Sequence, residues 1–165
     1  MRNRMTRPGP KSVSTEMLET DAVTQSTQIL RDNAGDYTTT STSFTDIDGT
    51  NLSLSLTTTG GDVLVWSTLE VQNNSAGNYT FFDVDVDSGT LIGAGFAGGI
   101  TQFQTGTADR IMNVCAIAVV TGLSAGSHTF DLQWQVEGGT AFMHAGGAAE
   151  NDDTAPILGA IELKK

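Results

Sequence analysis

Residues 128–137 read HTFDLQWQVE, and the alternation in this stretch decides the fold class. Phe130, Leu132, Trp134 and Val136 alternate with acidic and amide side chains. Successive side chains of a β-strand point to opposite faces of its sheet, so this period of two predicts a strand with one buried face and one polar face. A helix would instead repeat its apolar residues every three or four positions.

The same alternation recurs along the chain between glycine-rich turns. It is present in NLSLSLTT (51–58), VLVWSTLEV (63–71) and YTFFDVDVD (79–87), and a last strand is expected in ILGAIEL (157–163). In VLVWSTLEV, Val63, Val65, Leu69 and Val71 lie on one face, and Leu64 and Trp66 lie on the opposite face. The spacing predicts about eight to ten short strands and no convincing helix, which is typical of an antiparallel β-sandwich or jelly roll.

The N-terminal part of the chain lacks this pattern. The sequence therefore predicts an extended arm over 1–35 and a jelly-roll domain over 36–165. The start of the arm is basic, through Arg2, Arg4, Arg7 and Lys11. Such an arm can dock on an acidic partner surface, or it can be a solvated tail.

Charge is distributed unevenly. The net charge is −11, but the stretch from Asp32 to Leu163 holds 16 acids and one base, Arg110, and so carries about −15. A body of this charge repels phosphates, which excludes nucleic acid and anionic membrane as partners. The longest apolar run, Val114–Val120, is far shorter than a membrane span, and no secretory signal is visible.

One predicted strand differs from the others. RIMNVCAIAVV (110–120) is apolar on both faces, with Ile111, Cys115, Ile117 and Val119 on one of them. A strand of this kind is either covered within the fold or lies at a subunit interface. We take the interface as a hypothesis, because trimers of jelly rolls bury such strands along a symmetry axis. We expect Cys115 itself to be buried as a small apolar residue.

Candidates for chemistry are few. Asp83, Asp85 and Asp87 resemble a calcium loop, but the glycine comes one place late and the twelfth position is Ala94. We expect them to form a solvated outer strand face, with no metal bound. TDIDGT (45–50) predicts a turn.

GAGFAG (93–98) matches a dinucleotide-binding pattern literally, but no helix is predicted after it, so a loop is expected. His128 and His144 lie in no hydrolase or metalloprotease motif. Trp66 and Trp134 are both expected in the core. The single cysteine excludes an internal disulfide and a cysteine-cluster zinc site. We therefore predict no enzyme and no cofactor.

Three stretches of the body resemble the small β-sandwich domains of tailed-phage virion proteins, which are related in shape to the C1q/TNF-like jelly roll. They are YTTTSTSFTDIDGTNLSLSLTTTGGDVLV (37–65), FFDVDVDSG (81–89) and VTGLSAGSHTFDLQWQVEGGTAFMHAG (120–146). SVSTEMLETDAVTQSTQI (12–29) is similar to linkers of phage fibre proteins. The resemblance transfers no functional residues.

The resemblance implies a homotrimeric virion component made in the host cytoplasm, either a capsid decoration protein or the knob of a short fibre. The short arm favours a decoration protein that anchors on the major capsid protein or another virion protein. One alternative is a fibre tip that binds a receptor or host-surface glycan through loops near 93–106 and 145–153. Another is a monomeric host-encoded adhesin or carbohydrate-binding module.

Overall fold

The computed structural model of the chain describes residues 24–31, 35–93, 97–144 and 154–163. Every regular element in these ranges is a β-strand, and no described helix is long and apolar enough to cross a membrane. The strands are β1 (Ser26–Leu30), β2 (Tyr37–Thr39), β3 (Thr45–Asp46), β4 (Ser53–Thr59), β5 (Asp62–Asn73), β6 (Tyr79–Val86), β7 (Thr90–Leu91), β8 (Thr101–Gln104), β9 (Met112–Val120), β10 (Ala125–Val136), β11 (Ala141–His144) and β12 (Ile157–Leu163).

Sheet A contains six strands around β5, all paired antiparallel. On one side β5 pairs with β9 over nine residues, from Val63 to Val71. On its other side β5 pairs first with β12 and then with β11. β1 flanks β12, and β2 flanks β11. Within the described residues β9 has β5 as its one partner and is therefore an edge strand.

Sheet B contains six strands around β10 and β6. β10 pairs with β3 and β4 on one side and with β6 on the other. β6 in turn pairs with β7 and β8. The principal strands run in the order β1-β12-β5-β9 in one sheet and β4-β10-β6-β8 in the other, which is the jelly-roll arrangement of eight strands. The predicted fold class is confirmed.

The inner faces of the two sheets meet in one core. On β10 the alternating residues Phe130, Leu132, Trp134 and Val136 are at most 2% exposed, as the sequence predicts. Trp134 lies opposite Phe82 of β6 in the strand register. Each large side chain buried in this way stabilises the fold by about 1.5–3 kcal/mol.

The sandwich begins earlier in the chain than the sequence indicated. β1 (Ser26–Leu30) lies within the segment assigned to the arm, yet it pairs with β12 over its full length. Its side chains alternate between exposed and half-buried positions because it is an edge strand. An arm separate from the sheets can therefore include at most the residues before Ser26.

A buried ion pair fastens the end of β1 to the loop before β4. Arg31 is 3% exposed, and its Nε donates to Oδ2 of Asp48 at 2.9 Å. Its guanidinium also lies 4.4 Å from the centre of the Tyr37 ring. The Asp48 carboxylate accepts further hydrogen bonds from Thr50 and Asn51, in the turn that the sequence predicts. Burial alone would raise the pKa of Asp48, but the hydrogen bonds from Asn51, Arg31 and Thr50 outweigh it and hold the pKa well below its usual range.

A second buried acid fixes the turn between β4 and β5. Glu162 of β12 is fully buried, and its Oε1 accepts hydrogen bonds from the backbone N–H groups of Thr59 and Gly61. A Cβ at Gly61 would lie 2.8 Å from the Leu163 carbonyl oxygen, so only glycine fits there without a shift. This contact sets the start of β5 against the end of β12.

Replacing Arg31 should destabilise the fold. We expect Arg31→Met to lower the free energy of unfolding by about 3 kcal/mol, because the variant leaves the Asp48 carboxylate buried without its cation. Urea denaturation at a fixed protein concentration measures the effect. Arg110→Met is the matched control at an exposed arginine, with an expected change within about 0.5 kcal/mol. An equal loss in the two variants would contradict the role given to the ion pair.

Candidate functional site

The outer face of β9 is apolar, where the outer strand faces of a sandwich are ordinarily polar. Ile117 is 61% exposed and Val119 is 49% exposed, and Cys115 on the same face is also exposed. The alternate residues Val114 and Ala116 point inward and are buried. No described residue packs on the outer face of β9, so its apolar outward residues lie uncovered in the single chain.

The strand register extends this apolar surface across sheet A. On β5, Leu64 lies opposite Val119 and Trp66 lies opposite Ile117. On β12, Ile161 lies opposite Leu64. We call the whole surface the apolar face, and its members are Leu30, Leu64, Trp66, Cys115, Ile117, Val119, Ile157, Ile161 and Leu163.

Trp66 lies at the centre of the apolar face and crosses β12. A Cβ built on Gly159, its cross-strand partner, would lie 2.2 Å from Cζ2 of the Trp66 indole. The ring therefore packs directly on the backbone of Gly159, and this close approach requires glycine. The indole occupies the space that a side chain at position 159 would otherwise fill.

The apolar face is neutral on a strongly acidic body. Its members include no charged side chain, Asp62 of β5 lies at one end opposite Leu163, and Glu70 lies towards the other end of β5. The polar Thr68 lies on the same face between Cys115 and Ile157. Three strands (β9, β5 and β12) about 4.8 Å apart and about seven residues long give it an area of roughly 330 Å², to which Leu30 of β1 adds its side chain. Contiguous apolar surfaces of a few hundred Å² on soluble domains mark interaction sites.

The four residues predicted at a trimer interface are all exposed in the single chain. Cys115, Ile117 and Val119 share one face of β9, and Ile111 immediately precedes that strand at 48% exposure. Their contact with a second copy stays a prediction. The expectation that Cys115 is buried is wrong for the single chain, because β9 is an edge strand whose outer face nothing described covers.

The sequence analysis does not predict that β5 and β12 extend the apolar face beyond β9. Leu64 and Trp66 were correctly placed opposite the inward residues of β5, yet Trp66 was expected in the core. It lies instead on the outer face, half-buried. The sequence signal for an outward Trp66 is that β5, like the 110–120 stretch, has apolar residues at both odd and even positions and therefore on both faces of the strand. Trp134 is in the core as predicted.

The acidic strand corrects another expectation. Asp83 is fully buried and not solvated, because the chain after β7 folds back over it. Its carboxylate accepts the backbone N–H of Gly93 at 3.0 Å and that of Val84 at 2.8 Å. Burial raises the pKa of Asp83. A Cβ at Gly93 would lie 2.8 Å from Oδ2 of Asp83, so the glycine permits this contact.

The other two acids of this stretch serve turns. Asp85 is half-buried, and its Oδ1 accepts the N–H groups of Gly89 and Thr90. Asp87 is exposed in the turn after β6, where it and Ser88 adopt φ values of 55° and 57°. Within the described ranges no group of three or more His, Cys, Asp or Glu residues is arranged to hold a metal ion.

His128 joins two turns at one end of sheet B. Its Nδ1 lies 2.7 Å from Oδ2 of Asp87, and its Nε2 lies 2.9 Å from the carbonyl oxygen of Ser124. Both partners only accept hydrogen bonds, so this geometry favours the protonated imidazolium, in which both ring nitrogens donate. The hydrogen bonds that His128 donates to the Asp87 carboxylate and to the Ser124 carbonyl oxygen raise the pKa of His128. This arrangement holds no hydroxyl nucleophile against the ring.

In the part of the chain that the structure describes, the remaining candidates form no catalytic set. His144 is half-buried, with Nδ1 3.2 Å from Oδ2 of Asp36, and its Nε2 has no hydrogen-bond partner among the described residues. The GAGFAG stretch leads into β8 and not into a helix, although residues 94–96 lie outside the described ranges. Arg2, Arg4, Arg7 and Lys11 of the predicted docking arm also lie outside the described residues.

No family model and no curated protein matches the chain. Solved structures with a similar chain shape include Eiger TNF from S. frugiperda, at 12% identity and a TM-score of 0.46, over 86% of this chain and 92% of that one. They also include infectious bursal disease virus Gx strain, at 12% identity and a TM-score of 0.44 over 96% of this chain. The T=1 particles derived from infectious bursal virus match at 12% identity and a TM-score of 0.45 over 97% of this chain. The chain spans 40% of the length of each viral chain, and these likenesses concern the fold alone.

The imidazolium of His128 should make stability depend on pH. Its folded-state pKa is raised, so its contribution is complete below about pH 6.5, the value for an unperturbed histidine, and is lost as the pH rises through the folded value. We expect His128→Gln to destabilise the protein more at pH 6 than at pH 8. Thermal unfolding in a His144→Gln background measures this with His128 as the single titrating imidazole. Parallel pH profiles with and without His128 would contradict the assignment.

Proposed function

We propose that this protein is a non-enzymatic structural subunit that self-assembles as a homotrimer through the apolar face and functions in a virion, as a capsid decoration protein. One observation carries the proposal: an apolar surface with no charged member spans β9, β5 and β12 of an otherwise acidic body, with Ile117 61% exposed at its edge. Surface of this kind is stable in water when a partner covers it.

The size of the face favours a ring over a face-to-face dimer. A stable specific interface buries about 800 Å² on each partner, more than twice the area of the apolar face. In a two-fold dimer each subunit uses one patch, and the face alone falls short. In a cyclic trimer each interface joins two different patches, so the apolar face of one subunit can contact a neighbour's surface that need not be the same face. The face reaches the free edge strand β9, where a neighbouring subunit can contact both the face and the edge.

Charge supports a position on the outside of a shell. The body carries about −15 over residues 32–163, so it repels nucleic acid and does not suit the inside of a filled capsid. The basic residues are concentrated at the start of the chain, ahead of β1, where they can dock on an acidic shell surface. Three such arms on one trimer would bind with avidity. The resemblance of the body sequence to tailed-phage virion domains supports the same role.

The oligomeric state in solution tests the proposal. We expect the native chain to have the mass of a trimer by light scattering at about 10 μM. Ile117→Asp places a charge on the apolar face opposite Trp66, and burying that charge without a partner costs several kcal/mol, so we expect this variant to be monomeric.

Two further variants serve as controls. Ser55→Asp adds the same charge on an exposed position of β4 in sheet B, and we expect it to remain trimeric. A chain that lacks residues 1–23 retains every described strand and should also remain trimeric, while losing attachment to particles that bind the full chain. A monomeric native chain, or a trimeric Ile117→Asp variant, would contradict the proposed assembly.

A further inference from the structure

Sheet A has a free edge on each side of its principal strands, β1-β12-β5-β9. Within the described ranges β1 pairs with β12 alone, and β9 pairs with β5 alone. The backbone N–H and C=O groups along such an edge need hydrogen-bond partners, and a strand of another chain can supply them. The two edges belong to different strands at opposite sides of the same sheet.

Neither edge carries the features that ordinarily block strand pairing. Edge strands of soluble proteins are usually protected by charged side chains, especially Lys, by proline or by bulges. β1 reads STQIL and β9 reads MNVCAIAVV, so neither strand contains a charged residue or a proline. β9 also pairs with β5 at nine consecutive positions, without a bulge. Both edges are therefore suited to pairing with a further strand.

Hydrogen bonds at the two ends of β1 fix the direction of its backbone groups. The N–H of Arg31 donates to the carbonyl oxygen of Pro156. At the other end, the carbonyl oxygen of Gln25 accepts the N–H of Glu162. The direction alternates along an antiparallel strand, so the odd-numbered residues point their backbone groups at β12. The even-numbered residues point theirs at the free edge, and they are Ser26, Gln28 and Leu30.

The same alternation continues across the sheet to β9. Because Glu162 points its N–H at β1, Ile161 points its backbone groups at β5. Leu64 lies opposite Ile161 and points back at β12, so Val63 and Val65 point at β9. Their partners on β9 are even-numbered and point at β5. The odd-numbered residues of β9 therefore point at the free edge, and they are Asn113, Cys115, Ile117 and Val119.

The two edges are complementary. The free-edge residues of both strands have their side chains on the outer face of sheet A, and β1 runs antiparallel to β9 because the four strands alternate in direction. An antiparallel pair between β9 of one chain and β1 of another therefore continues the sheet with both apolar faces on the same side. The three free-edge residues of β1 each offer one N–H and one C=O, which gives about six hydrogen bonds per junction.

We propose that β9 of one subunit pairs with β1 of the next, so that sheet A continues from subunit to subunit around the trimer. This pairing depends on the proposed trimer and identifies the contact that forms it. A contact between two different edges is head-to-tail, and closing the ring leaves no free edge of sheet A at β1 or β9. Sheet B covers the inner face of sheet A, so the apolar faces line the inside of the ring.

The competing arrangement is a two-fold dimer in which β9 pairs with β9 of a second copy. Such a contact joins only two chains, because each chain uses the same edge. It leaves β1 without a partner in both copies. The two arrangements therefore differ in which strand lies against Cys115 and in how many chains are linked.

Engineered disulfides in the full chain distinguish these arrangements. Cys115 is the single native cysteine, and any register that pairs all three free-edge residues of β1 with those of β9 includes it. Within one chain β1 and β9 are three strand spacings apart, about 14 Å, which is too far for a disulfide. We expect at least one of three variants to form covalently closed trimers on mild oxidation, seen by non-reducing electrophoresis. The variants are Ser26→Cys, Gln28→Cys and Leu30→Cys.

Controls separate this pairing from the assembly itself. Ser55→Cys adds a thiol on the outer face of sheet B and should give no covalent trimer. Covalent dimers of the native chain through Cys115 would indicate the two-fold arrangement and overturn the inference. A native trimer by light scattering, with no covalent trimer from any of the three variants, would overturn the pairing and leave the trimer intact. A monomeric native chain would contradict both.

A proline in β1 tests the hydrogen bonds of the junction. Gln28→Pro removes an N–H that points at the free edge and keeps the bonds to β12, so the variant should remain folded, which thermal unfolding checks. We expect its trimer to dissociate at a protein concentration at least tenfold higher than that of Gln28→Ala, which retains the N–H. Equal dissociation of the two variants would overturn the pairing.

Discussion

The pleat of β5 is the constraint on which the rest of the structure depends. Its inward residues, from Val63 to Val71, fill the centre of the core, and the alternation then forces Leu64 and Trp66 to the outer face. β9 and β12, the neighbours of β5 on either side, place apolar residues at the matching outward positions. One strand at the middle of sheet A therefore contributes to two apolar surfaces, and only one of them is covered by sheet B.

The two outer faces of the sandwich consequently differ in chemistry. The outer face of sheet B carries mostly polar side chains, as expected of a sheet face in contact with water, and the Tyr79 and Phe81 pair is an exception. Sheet A ends at β9, an edge strand with exposed apolar residues and no charge along its length. Edge strands of this kind associate indiscriminately unless they are covered. The proposed trimer would cover β9 with a neighbouring subunit and leave the acidic remainder of the body in water.

Sequence periodicity was sufficient for the sandwich and the core, because alternation reports directly which side chains share a face. It placed Phe130, Leu132 and Trp134 correctly. It could not give the extent of the apolar face, since that depends on which strands become neighbours through pairings distant in sequence. It also missed the burial of Asp83, because a loop that folds over a strand leaves no periodic signal. Periodicity also gives no signal for the ion pair between Arg31 and Asp48, because the two residues are 17 positions apart and lie outside the alternating strands.

The accessibility of Cys115 tests the central claim most directly. It is the one cysteine of the chain and lies on the apolar face beside Ile117, so a thiol reagent reports on this surface alone. If the face mediates assembly, the thiol reacts slowly at micromolar protein concentration, and at least tenfold faster on dilution or in Ile117→Asp. A thiol that reacts at the same fast rate at every concentration, in the native chain and in the variant, would show that the face stays open and would contradict the account.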